Sequence, residues 1–106
     1  MDIQLKKGFL DVLALSTLLE KDSYGYRIIK DLAPITDISE STLYPILKRL
    51  EAAELLRVYN VEHNGRLRKY YSITPAGKAR IDSFLSEWQD VMRVYEFIGS
   101  ERRRTK

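Results

Sequence analysis

The segment Ile38-Ser39-Glu40-Ser41-Thr42-Leu43-Tyr44-Pro45-Ile46-Leu47-Lys48-Arg49-Leu50-Glu51 decides the fold of this chain. Its apolar residues recur at i, i+3, i+4 and i+7, which predicts a helix with one buried side. Ser39 or Ser41 can cap that helix with its hydroxyl group. The opposite side carries small and basic residues, so it is either a solvated surface or a surface that meets a nucleic acid.

A β-hairpin is predicted downstream of this helix. Leu56 to Glu62 and Leu67 to Ile73 are rich in Val, Tyr and Leu, and the Asn64-Gly65 pair between them favours a tight turn. Gly65 permits the positive φ that places the basic residues of the hairpin beyond the body of the domain. They can contact phosphates there, or they can simply keep a strand edge soluble.

Helices are also predicted on both sides of these two segments. Leu5 to Leu19 predicts a first helix with two covered faces, and Asp22-Ser23 predicts the N-cap of a short second helix that ends before Pro34. Thr74-Pro75 predicts the start of a long last helix. The closing residues 102–106 are either a frayed charged tail or a secondary phosphate contact. The resulting order is that of an α+β winged helix-turn-helix.

Length and composition limit the classes of function. A chain of 106 residues with 44% hydrophobic residues suits one domain. We divide it into a winged-helix DNA-binding part, residues 1–78, and a C-terminal dimerisation helix with a basic tail, residues 79–106, within one structural unit. With no cysteine and a single histidine, the chain predicts no metal site, no cofactor and no enzyme activity. The sequence has neither a membrane-spanning run nor a signal peptide, which predicts a cytoplasmic protein without a membrane partner.

Positive charge is concentrated around the hairpin. Six basic residues and a single acidic residue, Glu62, lie between Arg57 and Arg80. A polyanion would therefore approach by the middle of the chain. We expect double-stranded DNA to be the partner, and we predict that eight residues of the third helix and the hairpin contact it: Ser41, Thr42, Tyr44, Lys48, Arg49, Arg66, Arg68 and Lys69.

The last helix carries an apolar seam with the 3-4-3-4-3 spacing of a coiled coil, which needs a partner surface. The alternatives are a homodimer and a monomer whose last helix folds back on its own chain, and we favour the homodimer. The predicted interface residues are Phe9, Leu13, Phe84, Trp88, Val91, Tyr95 and Ile98.

In this order, the motifs resemble the PadR-like winged-helix transcriptional regulators, in the short form without a large C-terminal domain. The matching motifs are Tyr24-Gly25-Tyr26, Thr42–Glu51, Gly65-Arg66 with Arg68-Lys69-Tyr70-Tyr71, and Thr74-Pro75-Ala76-Gly77. Leu67 stands where the family ordinarily has a residue such as proline. The resemblance implies a homodimer that binds an imperfect inverted repeat in a promoter and represses transcription. A winged helix used for protein or RNA contact within a larger complex is the alternative.

Family members that resemble multidrug-responsive repressors have a tryptophan in the last helix, and Trp88 matches its place. The resemblance thus implies that a small planar aromatic effector stacks between the two copies of Trp88. The alternative is that Trp88 binds no ligand and only anchors the dimer interface. The predicted ligand-binding residues are Trp88, Phe9, Leu5, Phe84, Leu85 and Met92.

Overall fold

The computed structural model describes the backbone of residues 3–105 and the side chains of residues 8–105. Within that range the elements are, in chain order, α1 (Ile3–Ser16), α2 (Gly25–Leu32), α3 (Glu40–Ala52), β1 (Leu56–His63), β2 (Arg66–Ile73) and α4 (Pro75–Thr105). Three helices, a β-hairpin and a long last helix confirm the predicted α+β winged helix-turn-helix. We refer to the hairpin β1–β2 as the wing.

The core lies where the first three helices meet the base of the wing. Leu15, Ile28 and Leu43 place one fully buried side chain from each helix in this core, and Leu56 and Tyr71 join the wing to it. The apolar side of α3 is buried as its spacing predicts. The helix therefore presents its other side outward.

The start of α2 differs from the prediction. Tyr24, rather than Asp22 or Ser23, is the N-cap residue, and its side chain makes no capping hydrogen bond. Ser23 instead exchanges two backbone hydrogen bonds with Tyr71 of β2, at 3.1 and 2.7 Å. The predicted Asp22-Ser23 cap is therefore wrong, because pairing with the wing fixes the backbone of Ser23 in an extended conformation.

Ser39 caps α3, with its Oγ accepting a hydrogen bond of 3.3 Å from the backbone N–H of Thr42. Ser39, rather than Ser41, is therefore the N-cap residue of this helix. Pro45 consequently lies inside the helix, where the missing N–H removes one backbone hydrogen bond.

The wing is an antiparallel hairpin with Leu56 opposite Ile73 and His63 opposite Arg66, and each strand is one residue longer at the turn than predicted. Asn64 and Gly65 form the turn with φ of 53° and 78°, and both values are positive, as a type I′ turn requires. The Asn-Gly prediction is confirmed.

Thr74 starts α4 as predicted, since its Oγ1 accepts a hydrogen bond of 3.0 Å from the backbone N–H of Gly77 and donates one of 2.8 Å to the carbonyl of Glu54. The helix runs without interruption from Pro75 to Thr105, so it crosses the proposed division between residues 78 and 79. The expectation of a frayed tail is wrong for Arg102 to Thr105, which are helical, whereas Lys106 lies outside the described residues.

Candidate nucleic-acid interface

The outward side of α3 carries the five helix residues that the sequence predicts to contact DNA. All are exposed in the single chain: Ser41, Thr42, Tyr44, Lys48 and Arg49. At the start of the helix, Ser39 Oγ lies 2.9 Å from Ser41 Oγ and 3.2 Å from Thr42 Oγ1. These hydroxyls form a compact group that can donate to phosphate oxygens and pair with base edges.

Arg49 lies at one edge of this side and has a partner within the chain. It donates a hydrogen bond to Asp11 Oδ1 and forms an ion pair with that carboxylate, which links α3 to α1. About half of the Arg49 side chain remains exposed, so the pair is a weak surface contact. A DNA phosphate would compete with Asp11 for this guanidinium.

Tyr44 lies at the other edge, against the start of α2. A Cβ at Gly25 would come within 2.5 Å of the Tyr44 hydroxyl oxygen, so glycine makes room for the ring. The ring also lies near buried Tyr71, whose pKa is raised by burial first and then by Tyr44 and Glu51. Tyr44 therefore forms one wall between α3 and the wing.

An open cleft of about 870 Å³ lies between this wall and the wing. It brings together four of the eight predicted DNA contacts, one from α3 and three from the wing. The lining residues are Tyr24, Gly25, Tyr26, Tyr44, His63, Asn64, Arg66, Leu67, Arg68 and Lys69. The other four predicted contacts, Ser41, Thr42, Lys48 and Arg49, are exposed on α3 but do not line the cleft.

Tyr24 and Tyr26 were not among the predicted site residues, although both line the cleft. Tyr26 is 63% exposed, so its ring is accessible from the cleft. The Tyr24-Gly25-Tyr26 motif was the available signal, because two tyrosines around a glycine at a helix start can flank a closely approaching chain. The spacing of residues along the sequence did not predict that β2 would lie beside these two tyrosines.

Aromatic rings cover one face of the wing. Tyr59 and Tyr70 stack across the strands with ring centroids 5.8 Å apart, and Tyr24 packs on Tyr70 at 5.3 Å. The Tyr59 hydroxyl donates a hydrogen bond of 2.5 Å to Asp22, which raises the pKa of Tyr59. Arg68 places its guanidinium carbon 4.2 Å from the centroid of the Tyr24 ring.

Away from the wing, α1 packs on α4 through three aromatic residues. Phe9 lies 5.6 Å from Phe84 and 5.1 Å from Trp88, measured between ring centroids. The structure thus brings together three of the six predicted ligand-binding residues. Leu85 is a fourth, since it lines a groove together with Phe9 and Phe84; Met92 is exposed one turn beyond Trp88 on α4, and the side chain of Leu5 lies outside the described residues.

Beyond Trp88 the seam of α4 has no cover within the described chain. Val91, Tyr95 and Ile98 are 44%, 69% and 61% exposed. Leu13 of α1 lines a neighbouring apolar groove of about 650 Å³. The rest of its lining is Phe9, Leu10, Val12, Ser16, Leu19, Ile35, Thr36, Ile81, Phe84 and Leu85. Exposed apolar surfaces of this kind are typical of a protein interface.

Among the described residues, no group of three or more His, Cys, Asp or Glu side chains could hold a metal ion. A separate search of the same residues finds no helix with the length and hydropathy to cross a membrane.

Comparisons with known proteins place these features in a family. The family model described as "Transcriptional regulator PadR-like family" matches residues 14–83. An uncharacterized protein of Lysinibacillus sphaericus is 38% identical over 96 residues, covering 85% of this chain and 87% of that protein. The transcriptional regulator Rv3488 of Mycobacterium tuberculosis is 40% identical over 82 residues, covering 77% of this chain and 65% of that protein. The crystal structure of a PadR family transcription regulator from Clostridium difficile R20291 is 33% identical, with a TM-score of 0.77, covering 85% of this chain and 97% of that one.

Proposed function

This chain belongs to the PadR-like family of transcriptional regulators, and from that premise we propose that it is a repressor that binds an inverted-repeat operator as a homodimer. Members of this family are regulators and not enzymes. The cleft that Tyr44 of α3 shares with Arg66, Arg68 and Lys69 of the wing carries the proposal. Three cations beside an aromatic wall suit a DNA backbone, which presents evenly spaced phosphates and flat sugar edges.

The two parts of the interface have different roles. The outward side of α3 enters the major groove, where Lys48 can pair with guanine and the hydroxyls of Ser41 and Thr42 can pair with several base edges. Its small side chains permit the close approach that base contacts require. The wing lies along the backbone and supplies affinity that depends little on sequence.

A homodimer places two copies of α3 on successive major grooves, about 34 Å apart, which is the spacing that an inverted repeat demands. The uncovered seam of α4 and the apolar groove along α1 supply surfaces for this association. In our proposal the second copy covers the seam residues Val91, Tyr95 and Ile98. A dimer bound to a promoter in this way would block its transcription.

A small planar aromatic compound is the effector in this proposal. Trp88 is partly exposed and rests on Phe9 and Phe84, so its ring is held in a fixed orientation. The compound would stack between the two copies of Trp88 near the dimer axis, with Leu85 and Met92 at the sides. It relieves repression only if it binds more tightly to a dimer whose wings are wrongly spaced for the operator.

The function is tested with a footprint on the DNA that flanks the chain's own gene, followed by fluorescence anisotropy. The probes are the footprinted duplex, a scrambled duplex and a single-stranded RNA of equal length. We expect the footprinted duplex to bind at least tenfold more tightly than either alternative. Lys48→Ala should reduce this preference, whereas Lys21→Ala, at an exposed site away from the cleft, should preserve it. Equal or tighter binding of the RNA, or binding of no nucleic acid, would replace the proposal with an RNA- or protein-interaction module.

A further inference from the structure

Arg68 differs from the other basic residues of the wing in how it is held. Its side chain is partly buried, whereas those of Arg66 and Lys69 are exposed. Among the described residues, the carboxylates in ion pairs are bonded to Arg49, Arg93 and Arg104, and none is bonded to Arg68. The guanidinium instead lies over Tyr24, 4.2 Å from the ring centroid.

A ring and a carboxylate hold an arginine with different consequences. A carboxylate cancels the positive charge and occupies the N–H donors that a phosphate would use. An aromatic face attracts the cation through its quadrupole while leaving the in-plane N–H groups available. Arg68 is therefore oriented without being neutralised.

Tyr24 is itself fixed from several directions. It packs on Tyr70, which stacks on Tyr59, and the hydroxyl of Tyr59 is bonded to Asp22. The paired backbones of Ser23 and Tyr71 hold the preceding residue against β2. Arg27 of α2 also places its guanidinium carbon 5.0 Å from the same ring centroid. The ring thus connects α2 to the wing at the wall of the cleft.

We propose that Tyr24 is a positioning residue for DNA binding: its ring holds Arg68 in the orientation in which the guanidinium meets a backbone phosphate. The inference rests on the proposed DNA-binding function and adds to it a residue that acts through another. Holding the side chain in advance reduces the conformational freedom that binding would otherwise remove. Loss of a stack that remains partly open to solvent should change affinity about two- to fivefold per half-site, and about five- to thirtyfold for a two-fold operator.

The first test is a double-mutant cycle measured by anisotropy on the footprinted duplex. Tyr24→Leu and Arg68→Ala should each weaken binding, and the double variant should bind no more weakly than Arg68→Ala alone. Tyr24→Phe retains the aromatic face and should bind within twofold of the unaltered protein. Additive losses in the double variant, or a loss in Tyr24→Phe equal to that in Tyr24→Leu, would overturn the inference, since Tyr24 would then act independently of Arg68 or through its hydroxyl.

A second test leaves Tyr24 unaltered and therefore holds even if Tyr24→Leu fails to fold. Lysine keeps the charge but lacks the planar group that stacks on a ring. Arg68→Lys should weaken binding about two- to fivefold per half-site, whereas Arg66→Lys should bind like the unaltered protein, because within the described chain no ring underlies Arg66. Equal effects of the two lysine variants would refute the positioning role. If the unaltered protein binds no duplex at all, the proposed function itself fails.

Discussion

Ile98→Asp separates dimer formation from the folding of the single chain. Ile98 is 61% exposed and lies on the uncovered part of the α4 seam, whereas Ile81, on the same helix, is 7% exposed and belongs to the core. An aspartate at position 98 remains hydrated in the single chain, so we expect little loss of folding stability. In a dimer that covers the seam, the same carboxylate would enter an apolar interface.

The size of the effect follows from the exposed fraction. Complete burial of an isoleucine contributes about 1.5–3 kcal/mol, so the fraction left for the partner to cover is worth about 1–2 kcal/mol per protomer. A two-fold interface contains the residue twice, which gives about 2–4 kcal/mol and raises the dimer Kd about 30- to 700-fold. Desolvation of the carboxylate adds to this loss.

The measurements are sedimentation equilibrium for the Kd, circular dichroism for the melting temperature and anisotropy for operator binding. Ser100→Asp is the matched control, because it adds the same charge two residues further along α4, where the helix has turned by about 200°. We expect Ile98→Asp to be folded, monomeric and weak in operator binding, and Ser100→Asp to remain dimeric. A folded, monomeric Ile98→Asp protein that binds the operator with unchanged affinity would show that dimerisation is unnecessary. An unchanged dimer Kd would place Ile98 outside the interface.

Four further predictions concern the wing, the effector, the base of α4 and the ion pair on α3. The wing variant replaces three basic residues with alanine: Arg66, Arg68 and Lys69. It should weaken binding to all duplexes and lower the slope of log K against log salt by about 0.9 for each lost phosphate contact; an unchanged slope would remove the wing from the mechanism. A flat cationic dye should quench the emission of Trp88 and weaken operator binding together, with both effects smaller in Trp88→Ala; a dye that leaves emission unchanged would make this residue an interface anchor only. Gly77→Ala should lower the free energy of unfolding by about 1–3 kcal/mol, because the added Cβ would lie 2.2 Å from the backbone carbonyl oxygen of Leu55. Gly8→Ala is the control, since nothing lies within 4 Å of the Cβ it adds. Equal melting temperatures of the two variants would contradict this prediction. Asp11→Asn should release Arg49 and strengthen DNA binding if that guanidinium contacts a phosphate, and unchanged affinity would argue against the contact.

The parts of the fold that follow from local rules were predictable from the sequence. The Asn64-Gly65 turn and the Thr74 cap depend on residues within a few positions of one another, and the apolar spacing of α3 fixes which side is buried. The same spacing assigned the outward residues of α3 and, with the basic hairpin, the general location of the candidate interface.

The remaining features depend on contacts between distant parts of the chain. Asp11 and Arg49 are 38 positions apart, and Tyr24 meets Arg68 only because β2 pairs with the segment before α2. The predicted N-cap of α2 was wrong for the same reason, since Ser23, which could cap an isolated helix, pairs with Tyr71 of β2 instead. A frayed tail was one of two alternatives for the charged end of α4, because charge runs are usually solvated. The residues up to Thr105 are helical instead, and pairs such as Glu101 with Arg104 lie along the helix.

Contacts at the start of α4 allow this long helix to act as a lever arm. Thr74 is bonded both to the first turn of the helix and to the carbonyl of Glu54, and Gly77 packs against the backbone of Leu55, so these contacts hold the start of α4 against the segment between α3 and β1. The 31 residues of α4 extend about 46 Å at 1.5 Å per residue. A tilt of α4 by about 5° about its base would therefore displace its far end by about 4 Å. In the proposed homodimer, a small repacking near Ile98 would therefore rotate α3 and the wing of one protomer relative to those of its partner.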